Sequence, residues 1–234
     1  MVETPKLVLE AFESGLVVES VIVPSNVHPD PDIAEACDRT EAKLFSLDAG
    51  AYAKLADAKT PQPALAVVEA PSLEVNDRFP VDVAALFLVL VDVSDPGNVG
   101  TLIRTAEASG CAGVIVTSET SDVLSPKVVR SSAGSMLRVP IGEADRADLD
   151  DVLAKLDVKS IATTMDGTPF NQLDSVAGER VAILLGSEAH GLGDELLSSA
   201  DLRVSIPMHG RVESLNVATT GAVLAFAFSQ PSQL

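Results

Sequence analysis

The 234-residue sequence has no tryptophan, one tyrosine and seven phenylalanines. A core must therefore be built from Ala, Val, Leu and Ile, and a hydrophobic share of 47% is ample for a folded chain rather than a disordered one. Cysteine is as scarce. Cys37 and Cys111 lie in different halves of the chain, match no metal-ligand spacing and make no disulfide framework, so they read as free, reduced, structural thiols. Long apolar runs are missing too: "VAALFLVLV", residues 83–91, is far too short to cross a bilayer and is bounded by Asp82 and Asp92. The opening "MVETPKLVLE" lacks the basic-then-apolar pattern of a secretory leader, so a cytoplasmic protein without a membrane partner is expected. Internal repeats and low-complexity tracts are absent as well.

Positive charge is the most telling shortage. Sixteen basic residues face 34 acidic ones, a net charge of −18, and residues 1–70 hold 12 acids against 5 bases, so the acidity is not one detachable tail. On charge alone nucleic acid is an unpromising partner, because binding a phosphate backbone needs a basic footprint. One stretch runs the other way: "SPKVVRSSAGSMLRVP", residues 125–140, carries Lys127, Arg130 and Arg138 and no acid. By itself it reads equally well as a solvated segment with chance charges.

What is present is an alternation of helix and strand patterns. Residues 1–70 read as a small α/β domain: a helix over 5–15, a strand at 17–23, a helix through "DIAEAC", a strand at "KLFSL", a helix through "AGAYAKLADA" and a strand "ALAVVEA". Residues 71–81, with "PSLEVNDRFP" at their start, lack periodicity and read as a linker. Residues 82–234 restart the pattern with strands at 84–91, 112–117, 158–163, 181–185 and 202–206 and helices at 99–109, 125–132, 147–156, 193–199 and 214–229. Strands apolar throughout, alternating with helices, imply a mainly parallel sheet covered on both faces.

In such sheets ligands bind beyond the carboxyl ends of the strands, and three loops there carry more than linker chemistry. In "DVSDPGNVGTLIRTAE" a turn at Asp95–Gly97 leads to Asn98, a candidate cap, and to Arg104, a guanidinium in an otherwise apolar helix. Arg104 is either an anion-binding group or the partner of Glu107 or Asp92. In "AILLGSEAHGLGDEL" glycines follow a strand and let a ligand approach the backbone, but the pattern is neither GxGxxG nor a phosphate loop. His190 there reads as an ordinary loop histidine. In "RVSIPMHGRVESLNVATTGAVLAF" Ser214 is a candidate N-cap and Asn216 a polar group in need of partners.

Taken in order and at these spacings, the three loops resemble the motifs of the SpoU/TrmH-type 2′-O-ribose methyltransferases of the SPOUT superfamily: N-x-G-x-x-x-R at Asn98–Arg104, G-S-E-x-x-G-L at Gly186–Leu192, and I-P-M-x-G-x-x-x-S-L-N-V at Ile206–Val217. The resemblance covers about residues 82–230. Residues 1–70 resemble more loosely the ribosomal-protein-like substrate-binding domain of many members, short at its start. The resemblance implies a deep C-terminal trefoil knot, which general topology rules would not suggest. It also implies dimerisation through the knotted domain, no metal, and an S-adenosylmethionine cleft built from Leu185, Gly186, Glu188, Ile206, Met208, Ser214, Leu215 and Asn216.

The same resemblance makes Arg104 the catalytic residue, supported by Asn98 and Asn216, and ribosomal RNA the favoured substrate, with transfer RNA second. RNA contacts would then come from Arg104, Lys127, Arg130, Arg138 and Arg211 gathered on one face. Two departures stand out: Ala189 where many members have glycine, and Ala218–Thr219 after "SLNV". A non-catalytic RNA-binding or assembly factor of the same fold is the alternative from a different class. A nicotinamide-dependent oxidoreductase is disfavoured because its glycine fingerprint is missing.

Overall fold

The computed structural model describes residues 1–56, 60–75, 79, 85–173 and 179–229. The N-terminal part folds as β1 (Val2–Glu3), α1 (Pro5–Glu13), β2 (Val18–Pro24), α2 (Pro31–Thr40), β3 (Lys43–Leu47), α3 (Ala49–Leu55) and β4 (Leu65–Val68). Its helices start where a capping side chain precedes them: Thr4 before Pro5, Asp30 before Pro31 and Asp48 before Ala49. Leu7, Val8 and Ala11 of α1 and Ile33, Ala36 and Cys37 of α2 are their buried faces. The strands form one sheet in the order β1-β4-β2-β3, parallel only between β2 and β3.

The second sheet has six strands: β5 (Leu86–Leu90), β6 (Gly113–Thr117), β7 (Ile141–Ala144), β8 (Lys159–Pro169), β9 (Val181–Leu185) and β10 (Leu202–Ser205), in the order β10-β8-β9-β5-β6-β7. Every pair in it is parallel. The middle strands β5, β6 and β9 are buried end to end, as their unbroken apolar sequences require. Around them run α4 (Pro96–Ala108), α5 (Pro126–Ser131), α6 (Leu149–Lys155), α7 (Gly193–Ser199) and α8 (Val217–Phe228). Leu90 of β5 and Leu185 of β9 are partners in register, so the loops that follow these strands emerge side by side. That register brings the first two motif loops together.

Several boundaries differ from the sequence reading. β7 is a strand that its four residues, one of them Gly142, did not announce. β8 runs to Pro169 rather than ending near 163. β10 pairs with it in two registers, Leu202 with Ile161 and then Val204 with Thr168, so residues 163–167 bulge out of the ladder. α4 is capped by Asp95, whose Oδ1 accepts from the Asn98 N–H at 2.9 Å, and not by Asn98. The last helix begins at Val217, not 214: Asn216 is the N-cap, with φ −54° and ψ 141°, and its Oδ1 accepts from the N–H groups of Ala218 and Thr219. The expected strand start at 84 and the helix end at 57–58 lie outside the described residues.

The segment read as a linker packs against the second sheet at Leu73, Val75 and Phe79. The Leu73 carbonyl accepts from the Glu143 N–H at 2.7 Å, and Phe79, 2% exposed, stacks on Phe87 with centroids 6.1 Å apart. Both cysteines are free. Burial pushes both thiols up, that of Cys111 to about 11, which suits unreactive packing groups. No described helix is long and apolar enough to cross a membrane.

Candidate cofactor and RNA site

The three motif loops meet through a chain of side-chain hydrogen bonds. Nδ2 of Asn216 donates to Oδ1 of Asn98 at 3.1 Å, and Nδ2 of Asn98 donates to Oε1 of Glu188 at 2.5 Å. These contacts span 118 and 90 residues of sequence. An amide can pass such a chain on because it carries a donor and an acceptor at opposite corners. Asn216 uses its acceptor to cap α8 and its donor to reach Asn98, so the helix start and the site share one residue.

Beside this chain opens a cleft of about 1060 Å³ at the carboxyl ends of β8, β9 and β10. All eight residues expected to hold the cofactor line it: Leu185, Gly186, Glu188, Ile206, Met208, Ser214, Leu215 and Asn216. The buried floor is apolar, with Leu185, Val204 and Leu224, while the backbones of the two loops supply polar rims. Gly186 is required there: a Cβ would come within 2.3 Å of the Gly191 carbonyl carbon, because Ser187 and Gly191 exchange two backbone hydrogen bonds and close the loop on itself. The left-handed residues of this loop are Gly191 and Gly193, with φ +63° and +77°. Ala189 is not among the residues with positive φ, so the departure at that position strains nothing.

Thr163, Thr164 and Met165, in the bulge of β8, line the same cleft. No sequence motif marks them, and the apolar strand pattern stops at 163. The small residue Gly167, against which the Val204 backbone packs at 2.7 Å from any added Cβ, is the signal that was there to find.

Arg104 does not line the cleft. It sits on the outer face of α4, exposed, and among the described residues it has no ion pair or hydrogen bond. Of the two readings of Arg104, the pairing with Glu107 or Asp92 is not formed. Its two candidate partners are taken: Asp92 holds Arg146, and Glu107 holds Arg138 through a two-pronged contact. An unpaired cation six residues beyond Asn98 on the same helix is available to a ligand. Of the other basic residues singled out, Arg211 is exposed, and Lys127 stands 3.9 Å from Asp95. Arg130 faces Glu3, and Arg138 joins Glu10 of α1 to Glu107 of α4. The last two therefore hold the two sheets together rather than facing the cleft.

A cleft at the carboxyl ends of parallel strands, edged by three linked loops, is where open parallel sheets take their ligands. The family model described as the SpoU rRNA Methylase family matches residues 85–226. The chain belongs to the SpoU rRNA Methylase family. This SpoU methylase is 30% identical over 228 residues to the 23S rRNA (guanosine(2553)-2′-O)-methyltransferase RlmP of Bacillus subtilis, covering 97% of this chain and 86% of that protein. It is 31% identical over 179 residues, 72% of this chain and 60% of the other, to the 23S rRNA (uridine(2479)-2′-O)-methyltransferase of Streptomyces viridochromogenes. Among solved structures, the SpoU methyltransferase AviRb of Streptomyces viridochromogenes in complex with AdoMet superposes with a TM-score of 0.88 at 26% identity, over 97% of this chain and 88% of AviRb. An AdoMet-bound rRNA methyltransferase of Sinorhizobium meliloti gives 0.85 at 28% identity, over 96% and 84% of the two chains.

Proposed function

We propose that this SpoU methylase transfers a methyl group from S-adenosylmethionine to a ribose 2′-hydroxyl of RNA, with 23S ribosomal RNA as the substrate. The observation that carries the reading is the Asn216–Asn98–Glu188 chain, which joins all three motif loops at the edge of the cleft. The cleft fits the cofactor in kind: an apolar floor for an adenine, and backbone N–H and C=O groups at its edges on a loop that Gly186 lets close on Gly191. Leu185, Gly186, Glu188, Ile206, Met208, Ser214, Leu215 and Asn216 would hold it. S-adenosylmethionine, when bound, supplies the electrophilic methyl of a sulfonium.

The residues of the chain then have to position the ribose and manage charge. Because a guanidinium is a donor and not an acceptor, Arg104 serves as a binder of the target phosphate and of the negative charge that develops on the attacking oxygen, not as a base. Asn98 and Asn216 orient the motif loops at the edge of the cleft. Arg211, exposed on the third motif loop, adds a second contact to the RNA backbone.

The remaining organisation follows the same reading. Residues 1–70 present substrate and 82–234 carry the chemistry in a C-terminal trefoil knot, in a cytoplasmic homodimer. α8 supports the dimer: it is apolar on nearly every side, yet leaves Phe226 57% exposed.

The test is direct. Calorimetry on Arg104→Ala should give an S-adenosylmethionine affinity within about twofold of wild type, while methyl transfer falls by about 10²–10³, the cost of removing one charge-stabilising donor. Unchanged turnover would sink the role given to Arg104. Mass spectrometry of 23S ribosomal RNA from a strain lacking the gene should show one missing ribose methylation, and loss from transfer RNA instead would move the substrate.

A further inference from the structure

We infer that Arg146, which lies in none of the three motifs, is a positioning residue that holds the Gly186–Gly193 loop in its cofactor-binding shape. The inference rests on the cleft being the S-adenosylmethionine site.

Arg146 opens a single 3-10 turn, Arg146–Asp148, just before α6. Its guanidinium spans two segments that no backbone pairing joins at that level. Nη1 donates to Oδ2 of Asp92 at 2.5 Å, and Nη2 donates to the carbonyl oxygen of Leu192 at 2.5 Å. Asp92 is the second residue beyond β5, on the way to Asn98. Leu192 closes the motif loop that follows β9.

Asp92 is itself held in an unusual state. It has φ +57°, a left-handed conformation that a non-glycine residue adopts only when its surroundings demand it. Thr117 supplies the demand: its Oγ1 accepts from the Asp92 N–H at 2.9 Å and donates to Oδ1 at 2.7 Å. Both carboxylate oxygens are thus engaged, one by Thr117 and one by Arg146. Space for the guanidinium is reserved on the loop side, since a Cβ on Gly193 would stand 2.9 Å from Nη2.

The same two segments are tied once more, on the cleft side, by the hydrogen bond from Asn98 to Glu188. That contact is exposed to solvent and cannot fix a loop alone. The half-buried clasp through Arg146 can, because guanidinium and carboxylate form a charge-assisted bond and the second prong reaches a backbone carbonyl that cannot move without the loop. The role is on binding: the clasp sets where Gly186 and Glu188 stand before the cofactor arrives.

Isothermal calorimetry with S-adenosylmethionine on full-length protein tests this, together with steady-state kinetics. Arg146→Met should raise the cofactor Kd about tenfold, the loss expected when a charge-assisted bond no longer holds a binding loop. Amide exchange across residues 186–193 should rise in the same variant. At saturating cofactor kcat should stay within about threefold, because bound cofactor restores the loop. Arg146→Lys, which keeps the charge but not the planar two-pronged fork, should fall between, and it decides the matter if Arg146→Met does not fold. A wild-type Kd and wild-type exchange in these variants would overturn the inference, as would a loss confined to kcat. Failure of the wild-type protein to bind S-adenosylmethionine would instead overturn the reading of the cleft.

Discussion

At Asn216 one amide performs two separable tasks, and the separation makes a prediction. The acceptor caps α8 and the donor reaches Asn98. Asn216→Asp keeps an acceptor for the helix start, where a carboxylate also suits the helix dipole, but has nothing to donate. Thermal melting should therefore move little for Asn216→Asp, within about 0.5 kcal/mol, while Asn216→Ala should lose about 1 kcal/mol of capping. Both should lose methyl transfer to a similar degree, and an active Asn216→Asp would remove the amide chain from the site. The sequence marks Ser214 as a candidate cap and Asn216, two residues on, as a polar group in need of partners, and helical spacing does not place the helix start between them. The partner of the Asn216 donor, Asn98, lies 118 residues away, beyond any local pattern. Arg104 shows the same limit from the other side. The two acids that spacing offered it are held by Arg138 and Arg146, which local spacing does not reveal.

At the scale of elements, the strands with unbroken apolar sequences were legible, and β9 spans the residues its pattern marked, 181–185. The misses are elements made by their neighbours. β7 exists because β6 offers it an edge, from Val114 with Ile141 to Thr117 with Ala144. The second half of β8 exists because β10 changes register across a bulge. The closed loop at 186–191 is legible as glycines but not as a shape, since its key contact is backbone against backbone. Gly186→Ala puts a Cβ 2.3–2.5 Å from Gly191 atoms that cannot swing aside as a side chain would. Overpacking of that kind costs about 1–3 kcal/mol, and here it should be relieved by opening the loop, so that cofactor affinity falls more steeply than the melting temperature. Preserved affinity in calorimetry would mean that the cleft tolerates an open loop.

At the scale of the whole molecule the question is how a chain with a net charge of −18 holds its basic segment. Read as a patch for RNA, "SPKVVRSSAGSMLRVP" turns out to spend Arg130 and Arg138 on acids of the N-terminal part and of α4. Their partners, Glu3 and Glu10, lie more than 100 residues earlier, where no local pattern points to them. Arg138 binds Glu10 at 2.8 Å and both oxygens of Glu107, at 2.5 and 3.0 Å, so a single guanidinium links α1 to α4. The hydrogen bonds from Arg138 hold the Glu107 carboxyl below its ordinary value of 4.5, against a smaller opposing effect of burial. A carboxyl whose folded value is depressed binds fewer protons folded than unfolded. Its stabilisation is complete above about 4.5 and drains away as the pH falls through the folded value. Melting of wild type and Glu107→Gln, compared from pH 7 down to pH 3, should show a gap of under about 1 kcal/mol at neutral pH, since the pair is a third exposed. That gap should close below pH 4.5. Arg138→Ala should lose the same pH dependence and in addition release Glu10, loosening α1 from α4. A gap between wild type and Glu107→Gln that is constant with pH would show that Glu107 acts here by packing and not by charge.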